Sequence, residues 1–153
     1  MSSTRLARLF SPKSVAIVGG RVAESVVEEM LKIGFEGEIW PVNPKRSDMH
    51  GIPCLATLDD LPSAPDATYL GIHNDASIEA IASLSAMGAG GVICHASGFA
   101  ELGKEGKEKS EALVKAAGDM PVVGPNCWGL LNLMDRAAMW TIEFMRLACM
   151  SKD

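Results

Sequence analysis

An α/β fold in three layers, built on a mostly parallel five-stranded sheet, is predicted by three features of the sequence. Five short apolar runs, at 14–18, 38–42, 67–72, 91–94 and 121–123, are near-continuous rather than alternating, as in strands covered on both faces. Between them lie segments whose apolar residues recur three or four apart, the helix period. The connections are short, and strands alternating with helices select a parallel sheet with right-handed crossovers.

The elements follow in order. After the first strand, Val26, Val27, Met30 and Leu31 share one helical face, and Gly34 supplies the stop. After the third, Ile78, Ile81, Ala82 and Ser85 share another, with Asp75 as the expected N-cap and Gly88 as the stop. After the fourth, the charged stretch 104–111 leads into Leu113, Val114 and Ala117, closed by Gly118. Residues 58–61 read as one helical turn. From Asp135 the chain is rich in bulky apolar residues with no evident turn signal, and Met134, Ala138, Ile142 and Met145 would form one face of a helix. Such a helix would pack on the domain or make a homodimer with a second copy. The expected division is therefore a domain over 5–133 and a divergent tail over 134–153.

At 153 residues the chain suffices for one domain with a proper core and is too short for two ordinary ones. A net charge of −5 argues against broad electrostatic binding to nucleic acid or an anionic membrane. No segment approaches the roughly 20 apolar residues of a membrane span, and the N-terminus lacks the apolar core of a secretion signal. Cys54, Cys94, Cys127 and Cys149 are scattered without a C-x-x-C pair, which suits reduced thiols in a cytoplasmic protein.

In an open parallel sheet, ligands bind outside the carboxyl ends of the strands, so the loop after each strand is informative. The first is Gly19-Gly20-Arg21, followed by Glu24 and Ser25. Its glycines let backbone approach a ligand, the helix N-terminus attracts phosphate, and Arg21 adds a cation; the plainer reading is a tight turn. It is not G-x-G-x-x-G, so the usual dinucleotide fingerprint is absent. The second loop is Asn43-Pro44-Lys45-Arg46. Two cations stand where an NAD site often carries an acidic residue, which favours an extra phosphate on the adenosine ribose, as in coenzyme A or NADP; otherwise this is a solvated basic turn.

The third loop, His73-Asn74-Asp75, suggests acid–base chemistry or simply a capped helix. No other histidine stands at metal-ligand spacing, so no metal site is expected. The fourth runs from His95 through Ser97, Gly98 and Phe99 to Glu101; its small residues allow close approach, and Phe99 could stack on a flat group. The fifth is Gly124-Pro125-Asn126-Cys127-Trp128-Gly129. No histidine is placed in sequence to activate Cys127 as a nucleophile. The loops support binding better than catalysis, and no catalytic residue is assigned.

Taken together, the run from Leu9 to Gly19, then Gly34-Phe35-Glu36-Gly37 with Trp40-Pro41-Val42-Asn43-Pro44-Lys45, Ser97-Gly98-Phe99-Ala100-Glu101 and Gly124-Pro125-Asn126-Cys127-Trp128-Gly129, resemble the coenzyme A-binding domain of ADP-forming acyl-CoA synthetases. The same domain opens the α subunit of succinyl-CoA synthetase. The resemblance implies a Rossmann-like domain holding coenzyme A or acyl-CoA across the strand ends. It implies a phosphate-side loop at Gly19, Gly20 and Ser25, an adenosine-phosphate contact at Lys45, and a pantetheine side at Asn74, Ser97, Gly98 and Phe99. Asn126 would line the inner end, beside Pro125.

The first loop is shorter than the family's usual glycine-rich turn and fits a variant, Gly-Gly-x-x-Ala-Glu-x-Val, at 19–26. The family's phosphohistidine and ATP-grasp segments have no match in this chain, and none of His50, His73 and His95 lies in a phosphohistidine motif. The resemblance thus implies a binding module of a ligase that is not catalytically complete alone and works with a ligase or ATP-grasp partner domain or subunit. Two other readings compete. One is an NAD(P)-binding module in redox sensing or in a dehydrogenase, against which the missing fingerprint and missing acidic residue count. The other is a ligand-free interaction domain that dimerises through its tail.

Overall fold

The computed structural model describes residues 3–142. Helix α1 (Ser3–Phe10) leads into β1 (Ser14–Gly19), α2 (Arg21–Lys32) and β2 (Glu38–Val42). Two short strands, β3 (Asp48–Met49) and β4 (Ile52–Pro53), and a 3-10 turn at Leu58–Asp60 precede β5 (Ala67–Gly71). Then come α3 (Asn74–Ala86), β6 (Val92–Cys94), a 3-10 turn at Ala100–Leu102, α4 (Lys104–Ala117) and β7 (Val122–Val123). Strands β8 (Gly129–Asn132) and β9 (Ala137–Trp140) form a closing hairpin.

The five principal strands form one parallel sheet in the order β2-β1-β5-β6-β7. This is the predicted Rossmann-like α/β architecture. Both faces are covered, which is why the strands read as continuous apolar runs. On one face Val15, Ile17, Tyr69 and Ile93 pack against Val26, Val27 and Met30 of α2 and against the β8–β9 hairpin. On the other, Val18, Leu70, Val92 and Cys94 meet Ile81 and Leu84 of α3 and Leu113 of α4. Ile17 and Ile93 are wholly buried, so truncating either to alanine costs about 2–5 kcal/mol. Edge strand β2 carries Pro41, whose carbonyl accepts from Leu55 N at 2.8 Å, consistent with the confinement of proline to sheet edges.

Two sequence expectations are corrected. The N-cap of α3 is His73, whose Nδ1 accepts from Ala76 N at 3.5 Å, and Asp75 lies inside the first turn. Residues 137–140 are a strand, not part of a helix. The turn before them is made by Asn132, whose Oδ1 accepts from Met134 N and Asp135 N at 3.0 and 3.2 Å, an Asx turn. Of the face expected to pack on the domain or on a second copy, Ala138 is buried beneath α2, Met134 and Ile142 are exposed, and Met145 lies outside the described residues. No helix among the described residues is long and apolar enough to cross a membrane.

Candidate functional site

The sheet reverses direction of growth between β1 and β5, the neighbours at its centre. At such a switch point the two following chain segments diverge and leave a crevice at the strand carboxyl ends. Here a cleft of about 470 Å³ opens beyond β1 and β2, lined by Gly19, Gly20, Asn43, Lys45, Thr57 and Glu79 among others. A second recess of about 320 Å³ lies beyond β5 and β6, lined by Gly71, His73, Asn74, His95, Ser97 and Asn126. Ile72 lines both. A larger cavity of about 750 Å³ opens near Lys13, Glu36 and Arg136, but it sits at the amino ends of β1 and β2, the edge opposite the loops that position ligands in such sheets.

Helices α2 and α3 both point their N-termini at this crevice, and they differ. The N-cap of α2 is Gly20, which offers no side-chain hydrogen bond, so the first-turn amides and the positive end of the helix are open to an anion. The α3 terminus is satisfied internally, by His73 Nδ1 and by Asn74 Oδ1, which accepts from Asp75 N at 2.8 Å. An anion is therefore favoured at α2. Gly19 takes a φ of 141°, and a Cβ there would stand 2.5 Å from Gly71 O, so β1 and β5 approach too closely at the crevice floor for any side chain.

The loop after β2 is tied to this floor. Asn43 Nδ2 donates to Gly19 O at 2.7 Å, and Lys45 N donates to Asn43 Oδ1 at 2.8 Å. Both polar ends of the Asn43 carboxamide are thus occupied within the protein. Of the two cations beyond it, Arg46 pairs with Glu24 of α2 at 2.8 Å. Lys45 is exposed and has no ion pair among the described residues.

Around the second recess, Asn74 Nδ2 donates to Gly98 O at 3.2 Å, and Gly98 N donates to Glu101 Oε1 at 2.6 Å. The backbone amides of Glu101 itself and of Gly98 hold this carboxyl below the usual carboxylate range. Lys109 of α4 donates to Asn74 Oδ1 at 3.2 Å and pairs with Asp75 at 2.9 Å. Sequence reasoning did not single out Lys109, because it stands 35 residues from Asn74 and only helix packing joins them. Asn126 is left-handed at φ 55°, a conformation asparagine tolerates better than most residues.

The structure brings Gly19, Gly20, Asn43, Pro44 and Lys45 to the first cleft, and His73, Asn74, Ser97 and Asn126 to the second recess. Gly98 adjoins the latter through Asn74. Arg21 is exposed and Pro125 half-buried, and neither lines either space. Ser25 Oγ donates to Arg21 O within α2, and the residue lines a separate polar recess with Glu28 and Glu29. Phe99 is wholly buried in the α3–α4 core, which corrects the expectation that its ring is free to stack on a ligand. His95 does approach Cys127, but its Nδ1 meets the Cys127 carbonyl oxygen at 3.2 Å, not the thiol. Burial pushes the Cys54 and Cys94 thiols up. No group of His, Cys, Asp and Glu that could hold a metal occurs among the described residues.

The comparisons with known proteins agree with this architecture. A trans-feruloyl-CoA synthase from an unknown prokaryotic organism is 33% identical over 93% of this chain and 21% of its own length. The α subunit of an ADP-forming acetate–CoA ligase of Pyrococcus furiosus is 25% identical over 80% of this chain and 28% of its own. The apo dinucleotide-forming acetyl-coenzyme A synthetase 1 of Ca. Korarchaeum cryptofilum superposes with a TM-score of 0.82 at 29% identity, over 89% of this chain and 31% of that one. The chain thus spans between about a fifth and a third of these relatives. The profile of the CoA binding domain family matches residues 13–132, and the chain belongs to that family.

Proposed function

We propose that this chain binds coenzyme A along the crevice formed by the two recesses and serves as the CoA-binding module of an ADP-forming acyl-CoA synthetase. The observation that carries the reading is the open N-terminus of α2 at the switch point, facing Lys45 across the cleft. A pyrophosphate meets the α2 amides, and the 3′-phosphate of the adenosine meets Lys45. The pantetheine arm runs past Ile72 into the recess at Asn74, Ser97 and Asn126. The acyl group is chosen and activated by other domains or subunits, so the chain alone yields no acyl-CoA from ATP, acetate and coenzyme A.

Binding of NAD or NADP is the less favoured reading, because the loop after β2 offers Asn43 and cations where an acidic ribose ligand would stand. Calorimetric titration with coenzyme A, 3′-dephospho-coenzyme A and NAD tests the choice. Micromolar binding of coenzyme A that weakens without the 3′-phosphate is expected. Binding of NAD but not of coenzyme A would overturn it.

A further inference from the structure

The second recess contains a histidine whose hydrogen bonding decides which nitrogen is free. His95 Nδ1 lies 3.2 Å from the Cys127 carbonyl oxygen. A carbonyl only accepts, so in the neutral ring the hydrogen sits on Nδ1 and Nε2 carries the lone pair. Nε2 has no hydrogen-bond or ion-pair partner among the described residues, and the residue lines the recess. Its orientation is restrained twice: by the Cys127 carbonyl, and by Tyr69, wholly buried, whose ring centroid lies 6.1 Å away. Burial pushes the Tyr69 phenol well up, so it stays neutral and does not compete for a proton. The recess therefore holds an oriented acceptor with no donor to it among the described residues.

We propose that His95 Nε2 accepts the proton of the ligand's thiol. The inference rests on the coenzyme A reading above: phosphates at the first cleft place the far, thiol-bearing end of the molecule toward the second recess. The S–H bond breaks and the proton joins Nε2. What remains is a thiolate beside an imidazolium that keeps its Nδ1–H bond to Cys127. The module then presents the sulfur in its nucleophilic form.

The test is the ultraviolet thiolate absorbance of coenzyme A bound to the full chain, titrated with pH, in the wild type, His95→Phe and His95→Gln. Calorimetry with coenzyme A and desulfo-coenzyme A runs alongside. An imidazolium neighbour lowers a thiol by about one unit or more, so the bound thiolate fraction at neutral pH should rise about tenfold over free coenzyme A. Both variants should return it to the free value, read at a coenzyme A concentration that saturates each protein as calorimetry measures it. His95→Gln, which removes the basic nitrogen but keeps a polar side chain in the recess, serves if His95→Phe does not fold. Coenzyme A bound with the same thiolate fraction in wild type and variant overturns the role of His95. No coenzyme A binding by the wild type overturns the binding reading, and this proposal with it.

Discussion

The Asn43 carboxamide bridges Gly19 and Lys45, donating to the carbonyl of one at 2.7 Å and accepting from the amide of the other at 2.8 Å. A side chain so engaged ties the loop after β1 to the loop after β2, with one hydrogen-bond partner at each polar end. Asn43→Ala should weaken coenzyme A binding about fivefold to tenfold, the loss of roughly 1 kcal/mol expected for one such bond. Asn43→Asp should be no better, because it keeps the acceptor for Lys45 N but sets a carboxylate against the Gly19 carbonyl. If titration finds Asn43→Asp as tight as wild type, the bond to Gly19 is irrelevant.

Lys45 and Arg46 are adjacent cations with different commitments. Arg46 is held by Glu24, whereas Lys45 has no ion pair among the described residues. Lys45→Ala should cost coenzyme A about 1–2 kcal/mol of affinity, roughly fivefold to thirtyfold, and should leave 3′-dephospho-coenzyme A almost unaffected. Arg46→Ala should weaken both ligands equally and slightly. Paired titrations in low and moderate salt separate the cases, and a larger selective loss from Arg46→Ala would reverse the assignment.

How much of this was legible beforehand depends on what each element answers to. Strands β1, β5 and β6 are covered on both faces, so burial alone dictates continuous apolar runs and the sheet could be read from them. The β8–β9 hairpin misled for the same reason: Ala137, Ala138 and Met139 are all buried, which erases the alternation of a strand, and its turn signal is a single asparagine. Loop positions were readable as loops, but not the direction of their side chains. Phe99 turns into the core and Ser25 bonds back to its own helix, and nothing local distinguishes these outcomes from a ligand contact. His95 could be assigned only once the fold set it against Cys127, 32 residues away.

The two glycines at the first loop should behave differently. At Gly19 an added Cβ meets Gly71 O and C at 2.5 and 3.0 Å, with φ at 141°, whereas at Gly20 nothing lies within 4 Å. Gly19→Ala should therefore destabilise the fold by more than about 2 kcal/mol through strain and overpacking. Gly20→Ala should leave the melting temperature within a few degrees, yet it should reduce coenzyme A affinity because the methyl intrudes where backbone approaches phosphate. Denaturant unfolding and calorimetry measure the two effects independently. Equal stability of the two variants would contradict the close approach of β1 to β5.

Asp66 links the start of the sheet to α1 and predicts a pH dependence of stability. Burial pushes its carboxyl up, but the hydrogen bond and charge of Arg8 and the amides of Lys13 and Ser14 outweigh this, and the net shift is downward. The contacts are short: Arg8 Nε to Oδ1 at 2.6 Å and Lys13 N to Oδ2 at 2.8 Å. Because the folded value lies below the unfolded one, the stabilisation is fully present above the ordinary carboxylate range of about 4. It is lost as pH falls through the folded value. Asp66→Asn should cost about 1–3 kcal/mol at neutral pH, and the gap from wild type should close on acidification. Urea unfolding at a series of pH values reads this directly. A gap that stays constant down to the acid limit would mean that Asp66 acts through its shape and hydrogen bonds, with its charge contributing nothing.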